Sequence, residues 1–180
     1  MSKVIKITES ELISLIEYHP HMKKYGNRKE EFIKKINTFK DAYENIDEIL
    51  YFFGYEGFTT ENDAKEFLES HIEYYMKYPD PVTLYRVIGV KNKKAIRDKE
   101  PGEHYVDDKM LIDDHLLMSI GAFENWADDV KPYIMEVQVP LNQIDVLQTL
   151  IQNLSFPNEN EINLKNKGRG AKFIKATKYK

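Results

Sequence analysis

Two prolines, Pro79 and Pro81, fall where the apolar residues of this chain change their rhythm. Before them, hydrophobic positions recur every third or fourth residue; after them, they form short blocks or alternate. A repeat of about 3.6 residues buries one face of a helix, and a repeat of about two buries one face of a strand. A chain that switches once from the first rhythm to the second builds helices and then a sheet. The expected class is α+β, with an N-terminal helical layer packed on a small β core.

Within residues 1–78, Thr8 with Glu11 fits a capping box that opens a helix carrying Leu12, Leu15 and Ile16. Phe32, Ile36, Phe39 and Tyr43 share one helical face and predict a second helix, and a third runs from Ile46 to Phe53, ending near Gly54. Thr60 with Asp63 opens the most regular one, with Ala64, Phe67, Leu68, His71, Ile72, Tyr75 and Met76 in helical register until the prolines stop it. Over residues 79–180, TLYRVIGV (83–90), HLLMSI (115–120), YIMEVQV (133–139), NEINL (160–164) and AKFIKAT (171–177) read as strands. Pro101-Gly102, Pro140, Pro157, Gly168 and Gly170 mark the turns, and 123–130 and 147–154 are short helices. The two regions are expected to form one compact unit.

Composition removes several functions. The 180 residues contain no cysteine, which excludes disulfides, thiolate nucleophiles and cysteine-bound zinc. A net charge of −4 argues against a chain that binds polyanions over its whole surface. No apolar stretch reaches the roughly 20 residues of a membrane span or resembles a signal peptide, so a cytoplasmic protein without a membrane partner is expected.

Three features carry chemistry. Arg86 stands in the middle of an apolar strand, where its guanidinium is costly unless an anion meets it. Ser119 closes the apolar run HLLM, where a hydroxyl can orient a neighbouring side chain. Glu159 and Glu161, two apart in SFPNENEINL, can direct two carboxylates into one cleft. Their mutual repulsion needs water or a ligand to relieve it.

Taken in order, YRV on a first strand, a strand-end serine, and FPNENEINL followed by the last strand AKFIKAT, the region from about 80 to 180 resembles the arginine–serine–glutamate (R-S-E) class of mono-ADP-ribosyltransferases. That class includes the clostridial C3-like and binary toxins and enzymes with which tailed bacteriophages modify host proteins. The resemblance implies a mixed or antiparallel two-sheet core, NAD as substrate, and transfer of ADP-ribose to a protein side chain in a host cytosol. It also implies that Glu161 faces the ribose cation, Ser119 orients Glu161, and Arg86 with Val87 binds the dinucleotide. Glu159, the first acid of the ExE pair, would meet the acceptor, most often arginine. Phe123 and Trp126 would stack on nicotinamide or fill the core, and Phe156 would touch the target protein or pack under its own loop. Two positions depart from the family: Val87 replaces a glycine, and Ser119-Ile120-Gly121 replaces a Ser-Thr-Ser-like motif.

Two other readings compete. An inactive interaction module would keep the fold without the chemistry. Nucleic acid would be the acceptor or partner if KNKGRGAKFIKATKYK, with seven basic residues and no acids, forms a phosphate-binding patch with KNKKAIRDK (91–99). His104, His115, Asp107-Asp108 and Asp113-Asp114 cluster in sequence but match no metal-loop spacing, so no metal is expected.

Overall fold

The computed structural model describes residues 28–92, 102, 104–109 and 131–179. The chain forms two compact units, Met1–Ile36 and Asn37–Lys180. In the first unit residues 28–33 are helical, and Phe32 and Ile36 are buried. The expected helices near Thr8 and at 123–130, and the strand at 115–120, lie outside the described residues.

The second unit begins with a correction. The periodicity that joins Phe32 to Tyr43 does not belong to a single helix, because Thr38 starts a new one. Its hydroxyl accepts from the Asp41 amide at 3.1 Å, while the Asp41 carboxylate accepts from the Thr38 amide at 2.9 Å, a reciprocal capping box. Local satisfaction of these amides outcompetes continuation of the helix. Helix α1 (Phe39–Tyr43), α2 (Ile46–Phe53) and α3 (Glu61–Tyr75) follow. Helix α2 stops at Gly54 with φ 75°, and Thr60 caps α3 by accepting from the Asp63 amide, both as the sequence predicts.

Strands β1 (Val82–Val90), β3 (Lys131–Val139) and β5 (Lys172–Lys178) form an antiparallel sheet in the order β1-β3-β5. The short β2 (His104–Tyr105) and β4 (Ile162–Asn163) make a second antiparallel pair. The two sheets meet where Tyr85 and Val106 exchange backbone hydrogen bonds of 2.8 and 2.9 Å. Strand β2 therefore lies beside β1 on one side and β4 on the other, a position no hydrophobic period announces in a two-residue strand.

Helix α4 (Val146–Ser155) connects the sheets and reads as expected from 147–154. Its fully buried Thr149 and Asn153 do not merely fill space. Thr149 Oγ1 accepts from the Asn163 amide at 3.0 Å; the Asn153 amide group accepts from the Glu161 N–H and donates to its C=O, both at 2.9 Å. Four residues of helix rise about 6 Å and two residues of strand about 6.6 Å, so these rungs coincide in spacing. The helix thus completes the open edge of the segment that carries Glu161.

The loop between α2 and α3 closes on the other end of α4. Gly57 donates to the Leu154 carbonyl at 3.0 Å, and a side-chain carbon at Gly57 would overlap that carbonyl oxygen and the Pro157 ring. Gly57→Ala is expected to lower stability by about 2 kcal/mol, as overpacking against backbone does. Chemical denaturation checks this, and an unchanged midpoint would refute the close packing.

Candidate functional site

Arg86 faces the core side of β1, on the same side as the buried Leu84 and Ile88, and is itself half-buried. Its guanidinium lies 6.0 Å from the centre of the Tyr105 ring and hydrogen-bonds that side chain. Gly102 makes room for it. A side-chain carbon there would coincide with Arg86 Nη1, and the backbone is left-handed at φ 85°, so both space and conformation call for glycine.

The Gly102 amide donates to the Lys167 carbonyl at 3.0 Å. This bond sets the basic turn Lys165–Gly168 beside the guanidinium. Asn166, Lys167 and Gly168 all have positive φ (52°, 56° and 69°), which costs about 1 kcal/mol or more for each non-glycine residue. The strained turn brings backbone and positive charge to the place where Arg86 emerges.

Glu161 lies on the far side of β2. It is 7 % exposed, and its Oε1 accepts from His104 Nδ1 at 2.5 Å and from Asn163 Nδ2 at 3.1 Å. With its backbone clamped by Asn153, the side chain has one orientation. Among the described residues Oε2 accepts no hydrogen bond. A carboxylate held through one oxygen and open at the other is a prepared acceptor for a hydroxyl or a developing positive charge.

Glu159 sits in the turn before, where its Oε2 accepts from Gln152 Nε2 at 3.1 Å. Between the two acids Asn160 adopts φ 46°, and the strand starts only at Ile162. The directions of Glu159 and Glu161 therefore follow from a left-handed turn, and strand alternation does not govern them. They are gripped by different elements, one by α4 and one by β2.

Arg86 and Glu161 are thus brought to adjacent residues of the same strand, Tyr105 and His104. Val87 points to the opposite face of β1, where it packs against Val106 with Tyr85 and Ile134. Phe156 is 52 % exposed in its turn. Ser119, Phe123 and Trp126 lie outside the described residues, as do His115, Asp113 and Asp114. The partners of the Glu161 carboxylate, His104 and Asn163, escape a sequence reading. Their pairing across two two-residue strands leaves no periodic signal in the sequence.

Among the described residues no group of three or more His, Asp or Glu side chains could hold a metal ion. Nor is any helix among them long and apolar enough to cross a membrane.

Burial pushes the Tyr105 phenol up to about 12, against the opposing pull of the Arg86 guanidinium, which favours the phenolate. Tyr75, 2 % exposed, is likewise raised by burial well above the usual 10.0. In the unfolded chain both phenols lose their protons near their ordinary value, whereas the native state retains them. Above that pH the unfolded state binds fewer protons, so stability falls as pH rises. Each phenol contributes up to about 1.4 kcal/mol per pH unit while the mismatch lasts. Urea midpoints should decline steeply above pH about 10, and less steeply in Tyr105→Phe. A flat profile in the wild type would contradict the burial.

The fold and site define a mixed α+β protein of two small antiparallel sheets, with a buried glutamate and a core-facing arginine flanking the short strand between them. No protein-family model, curated protein or solved structure matches the chain.

Proposed function

We propose that the chain is an NAD-dependent mono-ADP-ribosyltransferase that acts on a protein side chain, most readily arginine. One observation supports it above the rest. Arg86 and Glu161, far apart in sequence, both abut β2, the first at Tyr105 and the second at His104, with Oε1 of the Glu161 carboxylate fixed by His104 and Asn163. Neighbouring strand residues point to opposite faces, so a substrate that meets both groups must cross β2; a cation at one end and a carboxylate at the other match a dinucleotide whose far end becomes cationic.

In the proposed reaction Arg86 binds the pyrophosphate by charge-assisted hydrogen bonds, with the basic turn Lys165–Gly168 adding to the field. The bond between ribose and the nicotinamide nitrogen breaks, and its electron pair leaves with nicotinamide, neutralising the pyridinium. Oε2 of Glu161 holds a ribose hydroxyl and faces the oxocarbenium-like ring. A guanidinium nitrogen of the acceptor bonds to the ribose carbon while its proton passes to the Glu159 carboxylate. The hydrogen bonds from His104 and Asn163 keep Glu161 aimed, the task the family resemblance gives to Ser119.

The test is release of nicotinamide from NAD by the full chain, with labelled NAD followed into a cell lysate. Label on protease-sensitive material supports the proposal. Absence of both nicotinamide release and transfer sinks it and favours an interaction module. Nucleic acid as acceptor draws support from β5, an edge strand whose Lys172, Lys175 and Lys178 are exposed. Label removed by nuclease would replace the protein-acceptor reading with that one.

A further inference from the structure

A cavity of about 300 Å³ opens between the last turns of α3 and the residues that follow β2. Its helical wall carries His71, Tyr74 and Tyr75, and Asp107, Asp108 and Asn160 complete the lining. We infer that this cavity binds a guanidinium side chain. The inference stands on the cavity itself. Should the transferase reading also hold, the occupant is the acceptor arginine, because Asn160 separates Glu159 from Glu161.

The size comes first. This is the low end of ligand-cavity volumes, suited to one side chain and too small for a dinucleotide. Chemistry then selects a cation. Tyr74, 53 % exposed, presents a ring backed by the buried Tyr75, their centres 5.8 Å apart, and a cation over such a face is attracted by its quadrupole. Helix α3 ends beside the cavity with no basic residue in its last turn, so no cation of that turn offsets the negative end of its dipole.

Asp107 supplies a formal charge. The Tyr78 hydroxyl donates to its Oδ2 at 2.6 Å, and the same carboxylate nearby pushes the Tyr74 phenol up to about 12. Among the described residues Asp107 has no ion pair with a lysine or arginine. The Tyr78 phenol thus holds the carboxylate in place without cancelling its charge. One nitrogen of the His71 imidazole donates to the Phe67 carbonyl at 3.0 Å, and the other lies 3.2 Å from the end of the Asn160 side-chain amide. An anionic ligand would meet the Asp107 carboxylate. A guanidinium suits the site better than an ammonium, since a planar fork can stack on a tyrosine and donate from its edge at once.

The test is a titration of the full chain, without NAD, with Nα-acetyl-arginine methylamide, followed by amide resonances. Saturable shifts at residues 70–75, 107–108 and 160 are expected. The neutral citrulline analogue should give none, and the lysine analogue should bind more weakly. Asp107→Asn keeps an oxygen for Tyr78 yet removes the charge, and should weaken binding about tenfold, the scale of one charge-assisted hydrogen bond. Tyr74→Leu, at a half-exposed position, should weaken it too and serves if Asp107→Asn is shown by thermal unfolding not to fold. Absence of saturation, equal binding of the citrulline analogue, or unchanged affinity in the folded variants overturns the inference. Equal binding of the lysine analogue overturns the guanidinium assignment. Because NAD is absent, these outcomes are independent of whether the chain transfers ADP-ribose.

Discussion

Glu161→Gln is expected to reduce nicotinamide release from NAD by two to three orders of magnitude, roughly the loss seen when one preorganised electrostatic group is removed from a reaction centre. The substitution is nearly isosteric. Its Oε1 still accepts from His104 and Asn163, and the backbone clamp to Asn153 is untouched, so the protein should remain folded. What disappears is the charge at Oε2 that would face the ribose as nicotinamide departs. The effect should therefore fall on kcat, with KM for NAD little changed, because Arg86 and the basic turn are assigned the ground-state binding. Chromatographic measurement of nicotinamide checks this. A variant that turns over NAD at the wild-type rate removes Glu161 from the chemistry and with it the proposed mechanism.

Asn153→Leu should give the largest loss of stability, about 3–4 kcal/mol. Leucine fits the buried volume closely, so the effect is one of hydrogen bonding with little contribution from a cavity. The Glu161 N–H and C=O, each bonded at 2.9 Å to the Asn153 amide, would be left without partners in a buried place. Stranding such a group costs about 1–3 kcal/mol, and two are stranded at once. Tyr75→Phe is a useful contrast: it removes only the 3.3 Å bond from Asn153 to the phenol and should cost under about 1.5 kcal/mol. Equilibrium unfolding in urea measures both. A loss in Asn153→Leu no larger than in Tyr75→Phe would show that the strand does not depend on the helix for its edge.

These two side chains show where sequence reasoning reaches and where it stops. Glu161 was legible because a pair of acids beside a proline turn is conspicuous in the chain itself. Asn153 was not, because within the amphipathic run of α4 a buried polar residue looks like an interruption of the apolar face. Its purpose exists only once a strand with unpaired backbone lies against it. His104 stood in a cluster of candidate metal ligands, and only its pairing opposite Asn163 in a two-residue strand reveals it as a partner of Glu161. Gly102 announced a turn, yet the need to leave space for Arg86 Nη1 depends on a strand far away along the chain.

The caps and the strands divide along the same line. Thr60 with Asp63 and the stop at Gly54 were readable because a cap is a bond between residues three or four apart. The break at Thr38 was equally local, but the longer apolar period across it suggested continuity, and the capping box prevailed. Strands β1, β3 and β5 were readable because each is long enough to display its period. The sequence alone determined the order of helices and sheet, the element ends set by neighbouring residues, and the residues with chemistry to offer. Tertiary structure decided which of them meet: it placed Arg86 and Glu161 on either side of β2, and His71, Tyr74 and Tyr75 around one cavity with Asp107. The reason is that local hydrogen bonds and periodicity act over a few residues, whereas a site is a set of distances between residues whose separation along the chain carries no such signal.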